Sequence, residues 1–243
     1  GYLLLPNCKI KPILERPTRD HARAALKYLW ITIASDFPFR GMGEASAADP
    51  DREMQFAKAI GALPGTEACP DAFVGVAMLL TIFARPAILG AVPGGLFEAA
   101  TQGSGKSLQT HTVALVSTGR PAGVATFPVG KDSKPDEAEL EKVITGYALN
   151  AARIVCFDNV KGAISGATLE RVLTAVDTID LRVLGANDQR TLPWSATMML
   201  SGNNVTTSDD MAQRILRSRL VSRREDPRSR PAVTFLYPDL LDA

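Results

Sequence analysis

Residues 100–107 read Ala-Thr-Gln-Gly-Ser-Gly-Lys-Ser, which fits the pattern G-x-x-x-x-G-K-[S/T] with Ala100 in the first glycine position. The residue types suit one task. Small residues let successive backbone N–H groups curl around phosphate oxygens, and the start of a following helix adds partial positive charge. An ammonium at Lys106 would reach the β- and γ-phosphates of a nucleotide, and the Ser107 hydroxyl would ligate Mg2+. The expected nucleotide-binding set is therefore Thr101, Gln102, Gly103, Ser104, Gly105, Lys106, Ser107 and Leu108, with ATP and Mg2+ as the ligands.

Such a loop needs a carboxylate at the end of a neighbouring strand to hold the cation's shell. Asp158, closing the run Arg-Ile-Val-Cys-Phe-Asp, suits that role. Asn159 follows where many ATPases carry a glutamate that activates water. Either Asn159 orients water without abstracting a proton, or another carboxylate serves, or hydrolysis is slow. Glu98, just upstream of the loop, is a candidate for that other carboxylate. A third element, Ser201-Gly-Asn-Asn204, ends a further apolar run. An amide there can hold attacking water near a γ-phosphate, and Asn203 and Asn204 are both candidates.

These groups require strands to carry them and helices to cover the strands. From Gly94 onward, short apolar runs alternate with helical segments. Strands are expected at 96–100, 122–127, 153–158 and 196–201, with a possible fifth at 219–222. Helices are expected at about 105–117, 136–148, 167–176 and 209–217. Strands alternating with helices imply a parallel sheet covered on both faces, an α/β fold of the P-loop NTPase kind. Two β-like runs around Ala186-Asn-Asp188, within 181–194, suggest an inserted hairpin. Arg182 and Arg190 would be its basic contacts to nucleic acid, and Pro193 and Trp194 its anchor. Residues 1–88 read as a helical N-terminal region, with helices at 19–33, 51–62 and 71–88, and 89–243 as the ATPase core.

Composition narrows the classes. The chain has 243 residues, 46% apolar, with 27 basic against 26 acidic side chains, enough for a sizeable core and unlike a disordered chain. Cys8, Cys69 and Cys156 are odd in number and widely spaced, so a disulfide framework is excluded and a reducing, cytoplasmic setting is expected. Cys156, inside a strand run, reads as a small apolar core group. The thirteen uncharged residues from Ala72 to Ala84 fall short of the ~20 a spanning helix needs, so they read as a buried core helix and no membrane partner is expected. Charge is uneven. From Met211 to Pro231 seven arginines face only Glu225 and Asp226, a net of +5 that leaves the remainder at −4. Such a segment can meet phosphate, nucleic acid or an acidic partner.

Taken in order, TQGSGKS, VCFDNV, LTAVDTIDLRVLG, TMMLSGNNV and SDDMAQRILRSRL resemble the ATPase module of superfamily III, AAA+-related replication helicases. More narrowly, they are similar to helicase-like C-terminal regions of primase or replication proteins from phages, plasmids and integrative elements. The resemblance spans about 89–240. It implies a Walker A role for Gly103 to Ser107, a Walker B role for Asp158 and Asn159, and a sensor role for Asn203 or Asn204. It further implies a trans-acting arginine finger at Arg214, with Arg217 as second candidate, since Gln213 stands where the family often has a paired arginine. A ring homo-oligomer, a hexamer, acting on DNA follows from the same likeness, as does a chain that continues beyond 243. Two other readings stay open: a nucleotide-dependent switch or scaffold with weak hydrolysis, favoured by Asn159, and a small-molecule P-loop kinase.

Overall fold

The computed structural model describes residues 14–42, 51–130, 134–183, 189–222 and 224–229. The first part is helical: α1 (Arg19–Ile33), α2 (Arg52–Ala59) and α3 (Val74–Ala84), the last flanked by short 3₁₀ turns at Pro70–Phe73 and Arg85–Ala87. There follow β1 (Gly94–Ala99), α4 (Lys106–Thr118), β2 (Val124–Thr126), α5 (Glu137–Leu149), β3 (Ile154–Val160), β4 (Ala163–Ile164), α6 (Ala167–Thr174), β5 (Thr178–Arg182), β6 (Gln189–Pro193), β7 (Thr197–Gly202), β8 (Thr206–Thr207), α7 (Asp209–Arg214) and β9 (Ile215–Leu220). Helix starts carry the side chains that satisfy their free N–H groups: Thr18 accepts from His21 N at α1, and Asp136 accepts from Glu139 N at α5.

Five strands form one parallel sheet in the order β2-β3-β7-β1-β9. Helices cover both faces, so the α/β expectation holds. Because strand side chains alternate between faces, neighbouring residues feed different cores. Leu96, Phe157 and Leu200 join Leu140, Ile144, Leu169 and Trp194 beneath α5, α6 and the hairpin. Phe97 and Met199 instead join Trp30, Met78, Leu79 and Val113 beneath α1, α3 and α4. Central β7 is buried at all six positions. The N-terminal helices therefore share a core with the sheet, and Phe39 adds an antiparallel bridge to Leu220 at its β9 edge.

The apolar stretch that reads as a core helix is one. Residues Pro70–Ala87 have the length and hydropathy of a membrane span, yet Val74, Val76, Met78, Leu79 and Ile82 pack into the second core. The expected hairpin is also present: β5 and β6 pair antiparallel from Thr178↔Pro193 to Arg182↔Gln189, while its turn, with Ala186 to Asp188, lies outside the described residues.

Boundaries differ from expectation at several elements: the hairpin begins at Thr178 rather than 181, and α2 and α3 are shorter than the expected 51–62 and 71–88. The difference at the end of the core bears on the site. The helix expected over 209–217 stops at Arg214, and the fifth strand starts at Ile215 rather than near 219. Six residues, Ile215 to Leu220, pair in register with Gly94 to Ala99, and Ile215, Ser218 and Leu220 become buried. Long-range pairing and burial outweigh the helical propensity of the Leu and Arg residues in this stretch, which amounts to only tenths of a kcal/mol per residue.

Gly202, the last residue of β7, sits where two backbones approach. A Cβ there would lie 2.6 Å from the Val160 carbonyl oxygen on β3 and would also overlap Val205 Cγ2. Gly202→Ala is expected to lose about 1–3 kcal/mol of stability. Gly146→Ala, inside α5 with nothing within 4 Å of the added carbon, is expected to gain about 1 kcal/mol. Urea denaturation of both variants checks the register of β3 against β7.

Candidate nucleotide site

The loop after β1 has the local geometry its residues predict. Gly103 and Gly105 adopt φ of 78° and 93°, a region that glycine enters without strain. Ser104 is buried and its hydroxyl donates to the Thr101 carbonyl at 2.9 Å, closing the loop on itself. Lys106 opens α4 directly from Gly105 and is only 9% exposed. From the N-terminal part, the Phe37 ring backs the loop: a Cβ on Gly105 would meet Phe37 Cε1 at 3.0 Å.

Asp158 stands next to this loop. Ser107 Oγ donates to Asp158 Oδ1 at 2.8 Å across 51 residues of sequence. Ser201 Oγ, on β7, donates to the same oxygen. Burial pushes the Asp158 carboxyl up, but the hydrogen bonds from Ser201, Ser107 and the Asn159 backbone, with the charge of Lys106, together hold it below the ordinary carboxylate value. An ionised carboxylate, a hydroxyl and a lysine are thus brought into one place. Hard oxygen donors of this kind suit Mg2+, which takes one or two protein ligands and completes its shell with phosphate oxygens and water. Among the described residues no cluster of three or more His, Cys, Asp or Glu could hold a metal unaided.

Asn159 occupies a β-bulge, where the register shifts between Phe157 and Val160. Its φ is 54° and it is exposed. Asparagine tolerates this left-handed conformation better than glutamate does, which gives a backbone reason for the residue found there. Asn203 and Asn204 differ in setting. Asn203 is half-buried and its Oδ1 is buried without a hydrogen-bond partner. Asn204 is exposed at φ 49° and lines a cleft of about 470 Å3 with Arg40, Glu98, Ala100 and Arg219.

The arginines separate. Arg214, the last residue of α7, lies 3.7 Å from Asp210 one turn back. Arg217 is on β9, where its Nε lies 3.4 Å from Glu98 Oε1 and its Nη2 donates to the Val205 carbonyl. Arg219 donates from Nε to the same Glu98 oxygen at 3.0 Å. Glu98, a candidate base on sequence, is held between two guanidinium groups of its own chain. Arg182 and Arg190 are both exposed, but Arg190 pairs with Leu181, so the two leave opposite faces of the ribbon and form no joint patch. Cys156 is buried and its thiol is pushed up to about 12, first by burial, which suits an inert core group. Trp194 is buried and its backbone N–H donates to the Asp177 carbonyl.

Residue type assigned no role to Ser201 or Arg219, and it did not show that Glu98 and Arg217, each a candidate for another task, pair with one another. Residue type gave only part of a signal for Ser201: a buried hydroxyl favours a polar acceptor, yet Thr197 Oγ1 on the same strand is buried without one.

No family model matches the chain, and no curated protein matches it. Solved structures with a similar arrangement include the apo A form of the NrS-1 C-terminal region, at 10% identity and a TM-score of 0.45, covering 88% of this chain and 44% of that one. Another is a JCV helicase with a bound small molecule, at 13% identity and a TM-score of 0.39, covering 83% of this chain and 57% of that one. The chain spans about half the length of either.

The Asn159 bulge generates a direct test. Asn159→Gly is expected to fold with stability near that of the parent. Asn159→Glu is expected to lie about 1 kcal/mol below Asn159→Gly, the cost of a side chain in the left-handed region. Thermal and urea denaturation of both variants read the difference.

Proposed function

We propose that this chain is the ATP-hydrolysing motor of a ring-forming, helicase-like replication protein acting on DNA. The observation that carries the reading is the contact of Ser107 with Asp158 at 2.8 Å, beside a lysine that ends a glycine-bent loop and begins a helix. Lys106 would pair with the β- and γ-phosphates, while backbone N–H groups from Gly103 to Ser107 cradle them. Ser107 and Asp158 would hold Mg2+, which when bound neutralises charge on the transferring phosphoryl group. Asn203, with a buried amide oxygen free to accept, would orient the attacking water. Arg214 fits the trans finger better than Arg217, whose guanidinium bonds Glu98 and Val205 within its own chain. Arg182 and Arg190 would contact DNA from separate faces of the hairpin.

One observation favours a second reading, a nucleotide-dependent switch or scaffold with weak hydrolysis. No acid stands at Asn159, and Glu98 is engaged by two arginines.

Steady-state ATPase assays with and without single-stranded DNA separate the two. The motor reading expects stimulation by DNA; the switch reading expects slow, DNA-independent turnover. Lys106→Ala is expected to abolish hydrolysis and weaken ATP binding at least tenfold, about 1.4 kcal/mol. Unchanged affinity in a folded Lys106→Ala protein would sink the nucleotide site.

Arg214→Ala is expected to bind ATP nearly normally and to lose about 10³-fold or more in rate. Mixing Lys106→Ala with Arg214→Ala subunits should restore activity if the site is completed between neighbours. A concentration-independent monomer that survives Arg214→Ala would remove the finger and the ring.

A further inference from the structure

Two hydroxyls converge on one oxygen of Asp158, and they are not equivalent. Ser107 sits in the first turn of α4 and is half-exposed toward the loop. Ser201 is 1% exposed, in a strand held on one side by β1 and on the other by β3. Its position is set by the sheet, since Ser201 stands in register with Phe97 and its neighbour Leu200 with Phe157. A buried hydroxyl has three staggered orientations, and here it points its proton at Asp158 Oδ1.

We infer that Ser201 is a positioning residue for the cation site: it pins Oδ1 of Asp158 from within the sheet, so that Oδ2 is presented to the Mg2+ shell. The inference rests on the nucleotide-site reading above and assigns a residue to it that the loop motif does not contain. Ser107 alone would leave the carboxylate rotamer tied to a helix terminus that must also meet phosphate. Ser201 ties it to a central strand. The strand ends at Gly202, and Asn203 follows it directly in the bend beyond, so Ser201 stands two residues before the amide proposed to orient water. Gly202 has no room for a side chain against Val160 and Val205, which keeps that segment close to β3.

Outer partners of a cation-holding carboxylate commonly influence cation affinity tenfold or more. The test is a Mg2+ titration of the binding of a fluorescent, non-hydrolysable ATP analogue, run beside the same binding in EDTA. For Ser201→Ala, the half-saturating Mg2+ concentration is expected to rise about tenfold, with affinity in EDTA changed less than about twofold. Ser201→Thr, which keeps the hydroxyl, is expected to restore the parental value. An unchanged Mg2+ titration in Ser201→Ala, or an equal loss with and without Mg2+, overturns the inference.

If Ser201→Ala does not fold, Ser201→Thr against Ser201→Cys decides. The inference requires Thr to keep the Mg2+ response and Cys, a weak donor, to lose it; equal responses overturn it. A parent protein that binds no analogue at all, with Lys106→Ala indistinguishable from it, marks failure of the nucleotide reading itself.

Discussion

The carboxylate of Asp158 is the junction on which the site depends. It receives a hydroxyl from the first turn of α4, a hydroxyl from β7 and the backbone N–H of Asn159, and Lys106 lies near enough to add its charge. Burial works against the ionised form, and these donors reverse that effect. A carboxylate that stays charged while partly shielded from water is what a divalent cation needs. It also fixes α4, β3 and β7 relative to one another at the end of the sheet where the loop begins.

The two faces of the sheet have different tasks. The face under α5, α6 and the hairpin is a continuous apolar core that packs β3 through Phe157 and Val160 and β7 through Met198 and Leu200. The opposite face is completed by the N-terminal part, in which α1 and α3 contribute Trp30 and Met78 and the segment after α1 contributes Phe37 and Phe39. Phe37 reaches the back of Gly105, so packing in the N-terminal part bears on the loop after β1. Arg85, buried with its guanidinium on the carbonyls of Ile88, Gly90 and Val176, anchors the segment that leads into β1. A buried guanidinium bonded to several carbonyls satisfies them as few other side chains can.

Backbone conformation gives Asn159 a physical meaning that residue chemistry alone does not. The bulge between Phe157 and Val160 turns residue 159 outward and places it in the left-handed region. An acid there would face both a conformational cost and solvent. At the β9 edge the sheet sorts the charged groups. Arg217 and Arg219 face Glu98 across adjacent strands, whereas Arg214 ends α7 beside Asp210.

Much of this was legible in the residues. Gly103, Gly105, Lys106 and Ser107 announce a glycine-bent loop running into a helix because the backbone bend and the helix start are local requirements met by local types. The alternation of apolar runs with helical segments announces a covered parallel sheet for the same reason: hydrophobic period reports local backbone. The burial of Trp194, Cys156 and one face of α3 follows from their apolar side chains. The rest depends on contacts between distant segments. The order β2-β3-β7-β1-β9 inserts a late strand between two early ones, and no local pattern encodes that. It is what brings Ser201 to Asp158 across 43 residues and Ser107 to Asp158 across 51. The end of α7 at Arg214, and with it the place of Arg217, was settled by six residues pairing with β1, a gain available only once the sheet exists.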